Sequence, residues 1–528
     1  MKEEQELKEL SEEIKYAIES IDKVLAEDDI EKAEAIIFQV ENQIGENKEE
    51  YILLLEIYAE LLQKKQFYAQ SEDIYLRLIS LCEDLYGKAE ITATYYNNIG
   101  NVYTNLEEYD KALLHHNKSL EIRKQILDDN HSYIAISYNN IGVVYSELGC
   151  HDKALEYYNK ALEIRKQVLG EYHEDTADSY YNIGVIYKNF KDYDKALEYY
   201  NKALEIRKQV LGEYHENTAN FYHVVGGVYH YLGDYDKTLE YLNKALEIRK
   251  QVLGEYHQDT ADSYYNIGKT YYYLGNYNKA LEYLNKALEI RKQVLGEYHQ
   301  DTAHSYHTMG SIYYDLEDYD KGLENWNKGL KIFKQVLGEY HKYTASSYNN
   351  IGGVYNNFKD YDKALECYNK VLEIRKYVLG EYNEDTANSY FNIGIVYEDL
   401  EDYDKALENW NKALEIRKYI LGEYHEDTAD SYNAIGVVYT NKGGYNKALD
   451  YFNKTLKIQK QVLGEYHEDA AKSYFNIGKA YEDLGDYDKA LENWNKALKI
   501  FKQVLGDEHE NTQNILEDIE ELKQKLKE

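Results

Sequence analysis

The sequence predicts an all-α fold, a right-handed α-solenoid superhelix of stacked helix-turn-helix units. Three observations carry that expectation. A 42-residue repeat runs through most of the chain without insertion or deletion. Apolar residues recur at helical spacing in both halves of every copy. And the 528 residues contain no proline, where ordinary usage of about 5% would give roughly 26, so Pro-closed turns and Pro-rich linkers are excluded.

The elements follow in chain order. Residues 1–47 read as an N-terminal helical pair containing IEKAEAIIFQV, a cap. Residues 48–92 keep the repeat register in worn form, with Ile57 and Leu61 standing where Ile99 and Tyr103 stand one period later. Residues 93–512 hold ten clean copies, marked by Gly100, Gly142, Gly184, Gly226, Gly268, Gly310, Gly352, Gly394, Gly436 and Gly478. Residues 513–528 read as a C-terminal capping helix with Ile515, Ile519, Leu522 and Leu526 along one face; solenoids need polar-faced caps at their ends.

Within a copy, DTADSYYNIGVIYKNF gives the first helix and KDYDKALEYYNKALEIRKQVLG the second. At 100° per residue, Tyr180, Ile183, Gly184 and Tyr187 share one face of the first. Ala196, Leu197, Tyr200, Ala203, Leu204 and Ile206 form a stripe on the second. Asp175 with Thr176 is expected to cap the first helix, and Gly212 to end the second. Gly184 and Ala196 are small where two helix backbones must approach. Neither helix can bury its stripe alone, so each copy needs its neighbours.

Comparing copies separates fixed positions from variable ones. Tyrosine stands four residues before the glycine and three after it in all ten copies, nine after it in nine, and in the linker from Tyr172 to Tyr466 in eight. Those positions hold 37 of the 62 tyrosines, so the tyrosine excess is a structural rule multiplied by copy number.

The residues Ile183-Gly184, Tyr187, Ala196, Tyr200 and Ala203, repeated in the other copies, resemble the tetratricopeptide repeat (TPR). The 42-residue period with ALEIRKQVLGEYH joining the units is more narrowly similar to the kinesin-light-chain type. Where that type usually has proline after the linker histidine, this chain has Glu, Gln or Lys from His173 onward. The resemblance implies a concave groove, lined by first helices, that holds peptides.

That groove is where the variable positions fall. Two residues before the glycine, asparagine recurs as Asn98, Asn140, Asn182, Asn266, Asn350, Asn392 and Asn476. An amide both donates to and accepts from an extended peptide backbone; hydrogen bonding between neighbouring helices is the other reading of the same residues. Five after the glycine stand Tyr231, Tyr273, Asp315, Asp399 and Asp483, among others. Six before it the residue changes from copy to copy, with one lysine, Lys472. The groove is expected to be polar and aromatic in the middle copies and acidic toward the C-terminal ones, with no basic clamp for acidic tails.

Other chemistry is not expected. Nine histidines, among them His131, His173 and His509, share one linker position. Zinc ligands must converge within about 2.0–2.3 Å, whereas equivalent atoms in stacked helices stand roughly 8–10 Å apart, so a linker or capping role is expected and no metal. The acids Glu174-Asp175 and Asp192/Asp194 recur in nearly every copy, unlike the singular desolvated pair that general acid–base catalysis uses. No catalytic or cofactor-binding residue is assigned. Trp326, Trp410 and Trp494, 84 residues apart, are expected to pack in the second helix, with a surface anchor as the other reading. Cys82, Cys150 and Cys367 show neither a disulfide framework nor metal-ligand spacing.

The net charge of −35 disfavours nucleic acid and anionic lipid as partners. The acidic start lacks an apolar leader segment, and no apolar run approaches the roughly 18 residues of a bilayer span, so a cytoplasmic protein is expected. The functional expectation is a non-enzymatic interaction scaffold or adaptor, monomeric or weakly self-associating, with a basic or neutral protein or peptide partner. A regulatory subunit of an enzyme or signalling complex, or a self-associating rod, are the alternatives.

Overall fold

The computed structural model describes residues 12–27, 29–44 and 48–526. Residues 1–11, 28 and 45–47 of the expected N-terminal cap, and 527–528 of the C-terminal one, lie outside the described residues. Among the described residues there are 25 helices and no strand. The chain forms two compact units, 1–255 and 256–528. The first contains the pairs Glu12–Leu25 with Ile30–Ile44 and Lys48–Lys64 with Tyr68–Tyr86, then four copies, from Glu90–Asn105 with Tyr109–Ile126 to Glu216–Tyr231 with Tyr235–Val252. The second contains six copies, from Gln258–Tyr273 with Tyr277–Val294 to Glu468–Asp483 with Tyr487–Val504, and ends with Glu510–Lys525.

The expected stripes are the buried ones. In the copy with helices Glu174–Asn189 and Tyr193–Leu211, Tyr180, Ile183 and Gly184 are buried against Ala196, Leu197, Tyr200, Ala203, Leu204 and Ile206. Tyr187 is half-buried and stacks on Tyr199, with ring centroids 5.4 Å apart and the ammonium of Lys195 5.0 Å from its own ring.

The glycine sets the distance between the two helices. A Cβ on Gly184 would lie 2.7 Å from ring carbons of Tyr200, and one on Gly310 would lie 2.7 Å from Trp326. The second helix thus pushes a large side chain, sixteen residues after the glycine, into the space that the missing Cβ leaves. The three tryptophans occupy this position and are buried. Each donates its indole N–H to a first-helix carbonyl: Trp326 to His307 (3.0 Å), Trp410 to Phe391 (3.0 Å) and Trp494 to Phe475 (3.1 Å). Packing, with the one polar atom satisfied, accounts for them.

Two local expectations need correction. The first-helix cap is the linker histidine, not Asp175: His173 has extended backbone (φ −128°, ψ 148°), and its Nδ1 accepts the Asp175 N–H at 3.1 Å. Asp175 lies inside the first turn, where its charge favours the helix dipole. His131, His215, His257, His299, His341, His425, His467 and His509 cap in the same way, with Asn383 substituting in one copy. The linker histidines are therefore occupied as acceptors. The second correction concerns residues 48–92. Tyr58 and Leu62 are buried there, one residue later than Ile57 and Leu61, because the second helix of that pair starts at Tyr68, one residue nearer to its successor than the 42-residue period requires. Toward the C-terminus Ile515, Ile519 and Leu522 are buried as expected, while Leu526 lies beyond the helix and is exposed.

Glycines at adjacent positions should respond oppositely to a methyl group. Gly394→Ala would overlap Trp410, and Gly268→Val would press on Leu284 and the Ala280 carbonyl; each is expected to cost about 1–3 kcal/mol through overpacking. Gly227→Ala meets nothing within 4 Å and should be neutral or gain up to about 1 kcal/mol of helix propensity. Urea unfolding of the three variants checks the order, and equal effects would mean that the helix pairing is misassigned.

Candidate interaction surface on the first helices

Within each unit the variable residues of neighbouring first helices meet side by side. The asparagine two before the glycine donates to the residue three before the glycine of the preceding copy. In the first unit, Asn140 donates to Asn97 (3.0 Å) and Asn182 to Asn139 (3.0 Å). In the second, Asn350 meets His307 Nε2 (3.3 Å), Asn392 donates to Asn349 (3.2 Å) and Asn476 to Asn433 (3.1 Å). Two members differ: Asn98 lies beside the Tyr75 hydroxyl, and Asn266 turns to the Asp262 carbonyl of its own helix (2.8 Å).

A second row of contacts lies further along. Tyr272 donates to Asp315 (2.7 Å), Asn357 to Tyr314 (2.9 Å) and Asn356 to Asp399 (3.2 Å). Tyr231 is exposed and stacks on Tyr193, with centroids 5.7 Å apart and planes 5° from parallel. Tyr273 is exposed beside Tyr272. Asp483 is exposed. The structure thus brings most of the sequence-predicted residues together in two rows, and much of their donor capacity is spent inside the rows.

The residue six before the glycine has a different partner, one that sequence reasoning missed. Twenty-three residues after the glycine, seven copies carry an arginine in the I-R-K stretch of the second helix. Arg291 is buried. Its Nη2 bonds Asp262 of its own copy (2.7 Å), and its Nη1 bonds the Asp301 carbonyl (2.9 Å) and Ser305 Oγ (2.8 Å) of the next. Arg417 likewise joins Asn388 (2.8 Å) to the Asp427 carbonyl and Ser431, both 2.9 Å away. Arg165 and Arg375 make the same pair of bonds to the next copy. Where Phe221 replaces that serine, Arg207 turns to two carboxylates of its own first helix, Glu174 (2.9 Å) and Asp178. Burial draws the guanidinium pKa of Arg165 and Arg417 down, and the bonds offset part of that cost.

Three copies lack the arginine, and in two of them the partner position holds a residue found in no arginine copy. Phe333 packs on His304, with centroids 5.1 Å apart, and Phe501 accompanies Lys472. The ninth copy has Gln459, whose Oε1 accepts from Ser473 (2.6 Å), while its six-before residue is still an aspartate, Asp430. The signal that could have found the arginine is this joint change of two positions among copies, visible only when both columns are read together.

Among the described residues, no group of three or more His, Cys, Asp or Glu side chains could hold a metal ion, and no helix is long and apolar enough to cross a membrane.

With this geometry in view, the comparisons define the class. The tetratricopeptide-repeat model matches residues 50–125, 133–209, 181–251, 217–293, 301–377, 343–418, 385–461, 427–503 and 469–528. The chain belongs to the tetratricopeptide-repeat family. No curated protein matches it. Among solved structures it is similar to BtubC (BKLC) from P. vanneervenii, at 18% identity over 44% of this chain and 92% of that one, with a TM-score of 0.38. It is similar to a putative kinesin light chain of Podosopora anserina with nearly identical TPR-like repeats, at 18% identity over 39% and 97%, with a TM-score of 0.36. It is also similar to the apo form of RapI, at 19% identity over 70% and 98%, with a TM-score of 0.49.

Two predictions follow from the buried polar groups. Arg291→Leu should cost about 2–3 kcal/mol, since three charge-assisted bonds go at once and leave Asp262 half-buried; urea unfolding against wild type measures it, and a change below about 0.5 kcal/mol would remove the arginine from the account. Burial also pushes His116 and His307 down to about 4. Because the folded value lies below the ordinary 6.5, their contribution is complete above pH 6.5 and lost as pH falls toward 4. Each is worth on the order of 3 kcal/mol. His116→Leu, the residue that Leu242 and Leu284 supply in other copies, should flatten the loss of stability between pH 7 and 4.5. An unchanged slope would contradict this.

Proposed function

We propose that this protein is a non-enzymatic scaffold or adaptor that binds a protein or peptide along its first-helix face. The observation that carries this reading is which hydrogen-bonding groups the rows leave over. The rows consume amide N–H donors, while the Oδ1 atoms of Asn182, Asn350, Asn392 and Asn476 accept no bond among the described residues. Asp315 and Asp399 accept hydrogen bonds from neutral groups, which leave their charge in place. Such a surface offers acceptors and negative charge. It suits a partner rich in donors: extended backbone N–H groups and basic side chains.

The same reading makes the partner basic or neutral rather than acidic, a nucleic acid or a membrane, and the protein a cytoplasmic monomer or weak homo-oligomer without cofactor. Residues 1–47 and 513–528 act as its caps, 48–92 as a degenerate repeat and 93–512 as the interaction array. The repeated acids support the absence of catalysis, since Asp192 and its equivalents hold helix N-termini: Asp192 accepts the Lys195 N–H at 3.2 Å, and hydrogen bonds from Lys195 keep its carboxyl below the usual range.

A peptide array probed with the full chain at two salt concentrations tests the proposal. Basic and neutral peptides should lead at low salt, and their advantage should shrink as the Debye length falls to about 8 Å at 0.15 M. Acidic peptides leading, or no peptide binding, would overturn it.

A further inference from the structure

The ninth copy leaves a cleft where other copies place a guanidinium. In copies with an aspartate six before the glycine, an arginine answers it: Asp178 pairs with Arg207 and Asp262 with Arg291. Asp430 is the third such aspartate, and Gln459 stands where its arginine would be. Gln459 keeps half of the arginine's work, the bond to the serine of the next copy. Its Nε2 makes no hydrogen bond to Asp430 among the described residues. Arg417, a cation that acts on Asp430 electrostatically, spends its bonds on Asn388, the Asp427 carbonyl and Ser431. Asp430 has no ion-pair partner among the described residues.

The gap is open. A cleft of about 580 Å³ lies over Asp430 and Gln459, walled by Glu426, Asn476, Phe475 and Phe501. Glu426, like Asp430, has no cation paired with it among the described residues. Lys472 also lines the cleft, but its ammonium is held by Glu468 (3.0 Å) and Asp469 (3.1 Å). The wall chemistry matches what a guanidinium on an alkyl stem requires: carboxylates for its N–H fork, an amide acceptor, and aromatic faces for the flat ion and its methylenes.

We propose that this cleft binds an arginine side chain of a partner peptide, whose guanidinium takes the place against Asp430 that the chain's own arginine fills in other copies. This rests on the peptide-binding reading above and narrows it to one residue type at one place. Lysine fits less well, since a point charge cannot span Asp430 and Glu426 as a fork does.

The test uses the full chain and a fluorescein-labelled peptide, Gly-Ser-Arg-Leu-Ser-Gly, against the same peptide with citrulline for arginine. Fluorescence anisotropy should show saturable binding of the arginine peptide and at least about tenfold weaker binding of the neutral isostere. Asp430→Asn should weaken the arginine peptide by about tenfold or more. Gln459→Arg should do the same by filling the cleft from inside, with a melting temperature no lower than wild type. If Gln459→Arg lowers the melting temperature, Asp430→Asn decides. Equal binding of the arginine and citrulline peptides, or full binding to Asp430→Asn, overturns the cleft assignment. If array peptides still bind while the arginine peptide does not, the scaffold reading stands and this inference falls. If no peptide binds at all, both fall.

Discussion

A buried guanidinium carries five N–H donors that must find acceptors or exact a desolvation penalty, and this protein uses that demand to join one helix pair to the next. Arg291 can be satisfied only if the first helix of its own copy and that of the following copy stand at the correct separation and register, because its bonds go to Asp262 on one and to Asp301 and Ser305 on the other. Apolar burial between copies is non-directional and would tolerate a small slip. The arginine would not. The match is imperfect, since Nε of Arg291 and of Arg417 is buried without an acceptor. A partly satisfied ion of this kind is better described as fixing geometry than as adding stability.

The glycine–ring contact does the corresponding work within a copy. Removing Cβ at Gly184, Gly310 and Gly394 lets Tyr200, Trp326 and Trp410 fill the gap between paired helices. One contact fixes the pair and the other fixes the stack. Residues outside these two contacts are then free to vary, and most of the variation on the first-helix face is still answered by a neighbour: His304 by Phe333, Asp262 by Arg291, Asp315 by Tyr272. Variation among copies is therefore not by itself a mark of ligand binding. The informative place is where one partner has changed and the other has not, as at Asp430 and Gln459.

Much of the fold was legible in the sequence. The glycine period located every clean copy, and helical spacing identified both buried stripes, because those signals depend only on contacts between fixed positions. The cap was misassigned because aspartate is a far commoner N-cap than histidine, and only backbone geometry shows that His173 holds the extended position while Asp175 is already helical. The worn repeat was misread by one residue because its second helix begins one residue late, a shift that Ile57 and Leu61 disguise beside Tyr58 and Leu62. Most of the asparagines bond to the neighbouring first helix, the other reading that the sequence left open. Their partners were not legible, since they lie 43 residues away, outside any local pattern. The arginine was hidden for a similar reason: in a charged surface stretch such as I-R-K, sequence alone does not show which cation turns inward.

The bond from Arg291 to Asp262 ties the second helix of a copy to its first. A double-mutant cycle on Arg291 and Asp262, with urea unfolding of the full chain carrying Arg291→Leu, Asp262→Leu or both, measures that coupling directly. The account predicts an interaction of about 1–2 kcal/mol. Additive single effects, with coupling within about 0.3 kcal/mol of zero, would contradict it.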